Sequence, residues 1–183
     1  MPTPTTPLID GLHYVPGHLD SSVHDELIRT IDLLPWQSDL RRRVQHYGYT
    51  YGYKSRTVQR IGPLPDWALA VAERLMDDDL APYVADQLIV NEYEPGQGIA
   101  RHIDKSLFAE TIVSLSLGST CIMEFRHGAR KEQLLLEPMS ALVLSGAART
   151  VWQHSIPARK TDVWLGRPLK RKRRVSLTFR KVI

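Results

Sequence analysis

The spacing of apolar and polar positions changes character at about residue 86. Before that point two stretches carry helical spacing. Val23, Leu27, Ile31 and Leu34 recur every three to four residues behind the capping set Asp20-Ser21-Ser22, and Pro35 closes the stripe. Trp67, Val71 and Leu75 predict a second helix, starting near Pro65-Asp66 and ending at Asp77-Asp78-Asp79. Three acids there oppose the helix dipole, so the end frays or the acids start a turn. A short strand, Leu12–Val15, precedes the first helix and stops at Pro16-Gly17. From Asp86 onward the period falls to two, and turns at Pro95-Gly96, Gly118, His127-Gly128, Glu137-Pro138 and Ser145-Gly146 delimit about eight short strands. In the last of them Val175, Leu177 and Phe179 share one face, while Arg174, Ser176, Thr178 and Arg180 share the other. The stretch 155–173 reads as a long loop. The organisation expected is a mobile Pro/Thr-rich tail over 1–7 and a single domain over 8–183. Within it 8–85 is an N-terminal extension and 86–183 the β core.

Composition narrows the class without naming a function. With 43% hydrophobic and 24% charged residues, the 183-residue chain has the make-up of a soluble domain with a real core. Its one cysteine, Cys121, rules out an internal disulfide framework and reads as a buried core thiol. No apolar run nears the roughly 20 residues that span a bilayer, so no membrane partner is expected. The N-terminus has neither a basic region nor an apolar core, which makes a cytoplasmic, monomeric protein the default expectation. The net charge of +4 hides an asymmetry. Through Phe125 there are 10 Lys/Arg against 17 Asp/Glu; from Arg126 onward there are 14 against 3. A basic half suits a polyanionic partner or simply a solvated face. Lys170-Arg171-Lys172-Arg173 leads into the last strand, which would put a positive rim beside any pocket there, with phosphate contacts from segment 167–174.

The candidate chemistry centres on residues 91–104. Asn91 and Tyr93 lie two apart at the end of an apolar run, and His102 and Asp104 lie two apart after the Pro95-Gly96-Gln97-Gly98 turn. Side chains two apart on a strand share a face. An imidazole and a carboxylate so placed are two of the three ligands of the facial triad that binds non-haem Fe(II). The third ligand should be a remote histidine. Only His127 and His154 lie beyond residue 104. His127 sits in a charged turn and reads as solvated, so His154, closing the strand-like run Arg149–His154, is the better ligand. Arg174 and Arg180 on the polar face of the last strand need an anion to justify inward positions. Metal residues on an inner face of several short strands indicate a double-stranded β-helix, the cupin-like jelly-roll, with N-terminal helices. Upstream, Tyr47, Tyr49, Tyr51 and Tyr53 alternate behind Arg41, Arg42 and Arg43. They form either one face of a hairpin packed on the core or a surface for stacking unpaired bases.

His102-x-Asp104…His154, Asn91-x-Tyr93 and Arg174-x-Ser176-x-Thr178-Phe179-Arg180 together resemble the AlkB family of Fe(II)/2-oxoglutarate dioxygenases, over about Leu8 to Val182. The runs Ile112–Gly118 and Leu142–Gly146 match as well. Pro95–Asp104 and Ser114–Gly118 are most similar to the dioxygenase domain of the tRNA wobble-uridine hydroxylase. The resemblance implies Fe(II) on His102, Asp104 and His154, with 2-oxoglutarate and O₂ as cosubstrates. It implies Arg174, helped by Tyr93, at the distal carboxylate of 2-oxoglutarate, Arg180 and Asn91 at its keto-acid end, and Ser176 beside them. It also implies a nucleotide-recognition lid over Arg41–Tyr53 and a single-stranded or base-flipped nucleic-acid partner. Two positions depart from the bacterial repair enzyme of the family. Ser106 stands where that enzyme has an Asp, and Ser176 where it has an Asn. The first loosens any inference about base preference, and the second removes a cosubstrate hydrogen bond.

Overall fold

A computed structural model describes residues 7–38, 42–52 and 57–183, the side chains of Tyr51 and Thr57 excepted. Most of the expected tail, together with Arg41 and Tyr53, lies outside the described residues. Strand β1 (Leu12–Val15) precedes α1 (Ser21–Asp32), whose N-cap is Asp20. The Asp20 carboxylate accepts from the Val23 N–H at 2.9 Å, satisfying one of the helix's orphan donors. Leu27 and Ile31 are buried, as the stripe predicts. Helix α2 (Asp66–Asp77) buries Ala68, Ala72 and Leu75 rather than Trp67 and Val71, which are only half-buried at its flank. Its acidic end forms a turn. Asp79 takes φ +58°, its N–H reaches Met76 O at 3.0 Å, and Leu80 N–H reaches Leu75 O at 2.9 Å. That is the pattern of a Schellman cap.

Both helices cover one face of a six-stranded antiparallel sheet. Its order is β1, β10 (Ala141–Leu144), β7 (Ile112–Gly118), β14 (Arg174–Arg180), β5 (Gln87–Tyr93) and β2 (Val44–Tyr47). Alternation sorts the side chains. Leu88, Val90, Val113, Leu115, Leu117, Val175, Leu177 and Phe179 meet the helices in one core cluster. Each such burial contributes roughly 1.5–3 kcal/mol. The opposite face looks onto a four-stranded sheet ordered β6 (Ile99–His102), β11 (Gln153–Ile156), β8 (Cys121–His127) and β9 (Arg130–Leu136). Between the two sheets a second cluster gathers Tyr93, Met123, Phe125, Leu134, Leu136, Leu142, Leu144 and the buried Cys121. Two facing antiparallel sheets of this connectivity make the double-stranded β-helix. Strands β1 and β2, from the N-terminal part of the chain, lengthen the larger sheet at both ends.

Three local expectations change. The run before His154 is not all strand: Gly146–Thr150 forms the short helix α3, and β11 begins only at Gln153. The loop expected over 155–173 contains a hairpin, β12 (Thr161–Trp164) against β13 (Arg167–Lys170). Its two turn residues, Leu165 and Gly166, both have positive φ (49° and 77°), as a type I′ turn requires. The tyrosine alternation is broken at Gly48, which adopts φ +75°, and a Cβ there would stand 1.8 Å from Asp86 O. The chain therefore leaves the large sheet after Tyr47 and starts a separate hairpin, β3 (Tyr49–Gly52) with β4 (Thr57–Arg60).

Candidate functional site

Strands β6 and β11 are neighbours, and their register sets His102 opposite His154. The two rings lie 4.4 Å apart. Asp104 follows β6 by two residues, and its Oδ2 comes within 3.4 Å of His154 Nε2. One ligand atom from each of the three residues falls within a 4.8 Å cluster. His127, the discarded alternative, is exposed at the far end of β8 against Trp152.

The surroundings of the triad prepare it for a cation. Burial lowers the His154 pKa to about 4 despite the Asp104 charge beside it, so the ring is neutral and its lone pair available at pH 7. Its Nδ1 is buried with no hydrogen-bond partner among the described residues. His102 Nδ1 donates to Ala100 O at 2.8 Å, and a carbonyl can only accept, so the tautomer leaves the Nε2 lone pair open. Burial alone would raise the Asp104 pKa. The Arg180 guanidinium, with lesser help from His154 and His102, outweighs that and holds the carboxylate well below its usual range. Arg180 Nη2 donates to Asp104 Oδ1 at 2.7 Å, and its guanidinium stacks 4.9 Å from the Phe108 ring centre. Arg180 thus holds the Asp104 carboxylate while lining the inner cavity, from a register position opposite Gln87.

Arg174 occupies the other end of the same strand face. Register pairs it with Tyr93, and Ser176 with both Asn91 and Ser116. Arg174 is 3% exposed, its Nη2 donates to Ser116 Oγ at 2.8 Å, and Tyr93 lies 5.5 Å from its guanidinium. Its Nε and Nη1 are buried without a partner among the described residues. A buried guanidinium with two unmatched nitrogens is costly unless an anion meets them. A carboxylate fits that fork. Arg174, Tyr93, Ser176, Asn91, the triad and Arg180 all line one small inner cavity. It adjoins a larger one of about 460 Å³, with which it shares Asn91, Ile99, His102, Asp104 and Arg180.

The larger cavity opens over His102 and Asp104 and is edged by Arg42, His46, Gln87, Arg101 and Lys105. Arg42 reaches it as expected, with Nε donating to Asn91 Oδ1 at 2.9 Å. Arg43 turns the other way. It forms a two-pronged pair with Glu92 at 2.6 and 2.8 Å, over Trp36 on the helix side of the sheet. Tyr47 also faces the helices, edge-on to Trp67 at 5.5 Å, so it belongs to the core and not to a lid. Tyr49 is half-buried, and its carbonyl accepts at 3.4 Å from Gln87, which lines the cavity. The side chain of Tyr51 lies outside the described residues.

The basic rim expected from 170–173 is not one. Arg171 is buried in a two-pronged pair with Asp162 at 2.6 and 2.8 Å. Arg173 is bound to Glu92 and Asp32 on the helix side. Only Lys170 and Lys172 of that run are exposed. Positive charge at the cavity comes instead from Arg42, Arg101 and Lys105. Sequence reasoning also missed Ser116, although Ser114 and Ser116 interrupt an apolar strand on its inner face, and His46, which shares the cavity face of β2 with Val44.

The chain matches the family model described as the 2OG-Fe(II) oxygenase superfamily over residues 13–180. It is 38% identical, over 95% of its length, to "Alkylated DNA repair protein ALKBH8 homolog" of Arabidopsis thaliana, of which it spans 59%. It is 39% identical, over 77% of its length, to "tRNA (carboxymethyluridine(34)-5-O)-methyltransferase ALKBH8" of Mus musculus, of which it spans 24%. Among solved structures OsALKBH1 superposes with a TM-score of 0.77 at 18% identity, covering 96% of this chain and 99% of that one, a likeness of fold.

Proposed function

This chain belongs to the 2OG-Fe(II) oxygenase superfamily as an AlkB-type 2-oxoglutarate-dependent dioxygenase, and from that premise we propose that it oxidises a base in single-stranded or flipped nucleic acid. In this reading His102, Asp104 and His154 hold the iron. Arg174, backed by Ser116 and Tyr93, takes the distal carboxylate of 2-oxoglutarate. With Fe(II), 2-oxoglutarate and O₂ bound, the centre supplies an oxidation that hydroxylates a carbon beside a heteroatom and releases succinate and CO₂. The protein's own groups prepare it. Arg180 keeps Asp104 ionised and aimed, Ala100 O fixes the His102 tautomer, and Arg42 holds Asn91 at the inner cavity.

The observation that carries the substrate reading is the cavity of about 460 Å³ over His102 and Asp104, with Arg42, Arg101 and Lys105 at its edge. Its size suits a nucleobase-sized ligand, and its cations suit flanking phosphates. A base inside a duplex cannot reach so recessed a centre without leaving its stack. RNA is the favoured polymer, since the mouse relative is named for a tRNA modification. On an N-methyl base the product would lose formaldehyde; on a wobble-uridine side chain the hydroxyl would remain. The test offers methylated and wobble-modified oligonucleotides, single-stranded and duplex, and reads product mass. Oxidation of at least one single-stranded RNA, faster than of its duplex, is expected. Turnover only of a free amino acid or peptide would contradict the reading.

A further inference from the structure

Arg149 is 4% exposed on the five-residue helix α3. Among the described residues its guanidinium forms no hydrogen bond or ion pair with a carboxylate. Nη1 donates to Asp104 O at 2.8 Å, and Nη2 donates to Lys105 O at 2.5 Å and to Phe108 O at 3.3 Å. Three carbonyls of one loop thus converge on a single cationic fork. The cost is visible: its Nε is buried with no partner among the described residues. A buried charge spent on backbone carbonyls is expensive, and ordinary loop closure does not need one.

What the loop carries explains the expense. It begins with Asp104 and ends with Phe108, whose ring stacks on Arg180. Arg180 in turn grips Asp104 Oδ1. The backbone of Asp104 is therefore held by Arg149 from one side and its carboxylate by Arg180 from the other. Arg149 also stands five residues before His154, at the end of the helix that leads into β11. We propose that Arg149 is a positioning residue for the metal centre, tying the segment that delivers His154 to the loop that delivers Asp104. It fixes the Asp104–His154 spacing before any metal arrives. The inference rests on the triad as the metal site. Residues that orient a metal's ligands typically change its affinity ten- to a hundred-fold when removed.

The test measures Mn(II) affinity of the metal-stripped protein directly, without turnover, in the wild type and in Arg149→Met, Arg149→Lys and His102→Ala. The Mn(II) electron paramagnetic resonance line shape reports ligand geometry at the same time. Arg149→Met should weaken Mn(II) binding about ten-fold or more and broaden the signal. The apparent KM for 2-oxoglutarate at saturating metal should change less than about three-fold, because Arg174 is untouched. Arg149→Lys, which keeps the charge and can reach some of the carbonyls, should recover part of the affinity. If Arg149→Met does not fold, Arg149→Lys decides, since it should bind Mn(II) more weakly than wild type while remaining folded. Unchanged Mn(II) affinity in a folded Arg149 variant, with only a lower unfolding temperature, would overturn the proposal. Retained Mn(II) binding in His102→Ala would instead overturn the triad assignment beneath it.

Discussion

At the scale of single residues, Arg174 carries the sharpest consequence. Two of its nitrogens, Nε and Nη1, are buried and unmatched among the described residues, while the third, Nη2, is anchored on Ser116. Losing one charge-assisted hydrogen bond in such a place costs about 1.5–3 kcal/mol. Arg174→Ala should therefore raise the KM for 2-oxoglutarate roughly ten- to a hundred-fold, read by succinate release at saturating metal. An unchanged KM would remove Arg174 from the cosubstrate site. Legibility at this scale was uneven for a physical reason. His102, Asn91, Tyr93 and Arg174 are legible because strand periodicity puts residues two apart on one face, whereas Asp104 lies two residues past the end of β6 and is marked only by its spacing from His102. Alternation puts Arg180 on the inner face, but its bond to Asp104 is not legible, since alternation says nothing of what comes from another strand's end. Arg149 left no local signal at all. Its partners are main-chain carbonyls more than forty residues away, and carbonyls have no letter in the sequence.

At the scale of elements, hydrophobic spacing located both helices and the metal-bearing strands, and it failed where one backbone conformation overrode it. Gly48 is the clearest instance. Its left-handed φ rotates the chain between β2 and β3, so Tyr47 packs on Trp67 while Tyr49 starts a hairpin. The β12–β13 hairpin was hidden because its core contribution is an ion pair rather than an apolar stripe. Asp162 is buried against Arg171 and Arg159, and its Oδ2 also accepts from the Ile122 N–H of β8 at 3.1 Å. Burial works to raise the Asp162 pKa, but the two arginines prevail and lower it below its usual value of 3.8. The folded pKa thus lies under the unfolded one. The stabilisation is complete above about pH 4 and is lost as pH falls through the lower folded value. Asp162→Asn should flatten the fall in unfolding temperature on acidification over that range. Removing the buried partner, Arg171→Ala, leaves Asp162 only the half-exposed Arg159 and the Ile122 N–H and should lower stability in denaturant melts, by less than the roughly 3–5 kcal/mol of a wholly unpaired buried charge. Equal acid profiles for Asp162→Asn and wild type would contradict the pair's role.

At the scale of the whole molecule, the charge asymmetry of the sequence is real, but its folded destination was not legible. Several of the C-terminal arginines are committed internally, Arg149 to carbonyls, Arg171 to Asp162 and Arg173 to Glu92 and Asp32. The cations left at the cavity, Arg42, Arg101 and Lys105, all come from the acidic part of the chain. On a single strand each phosphate neutralised contributes about 0.7 to the log–log salt slope of binding. Replacing Arg101 and Lys105 by Ala should flatten that slope by up to about 1.4, whereas Lys172→Ala should leave it close to wild type. A slope insensitive to Arg101 and Lys105 but reduced by Lys172→Ala would move the binding surface back to the segment before β14.

The central claim is that oxidation of a nucleic-acid base is coupled to 2-oxoglutarate at His102, Asp104 and His154. It is tested most directly by counting succinate and oxidised base together on a single-stranded RNA substrate. Wild type and His127→Ala should give close to one succinate per oxidised base, and His154→Ala should give neither product. Full turnover by His154→Ala, or succinate release that ignores the RNA, would contradict the account.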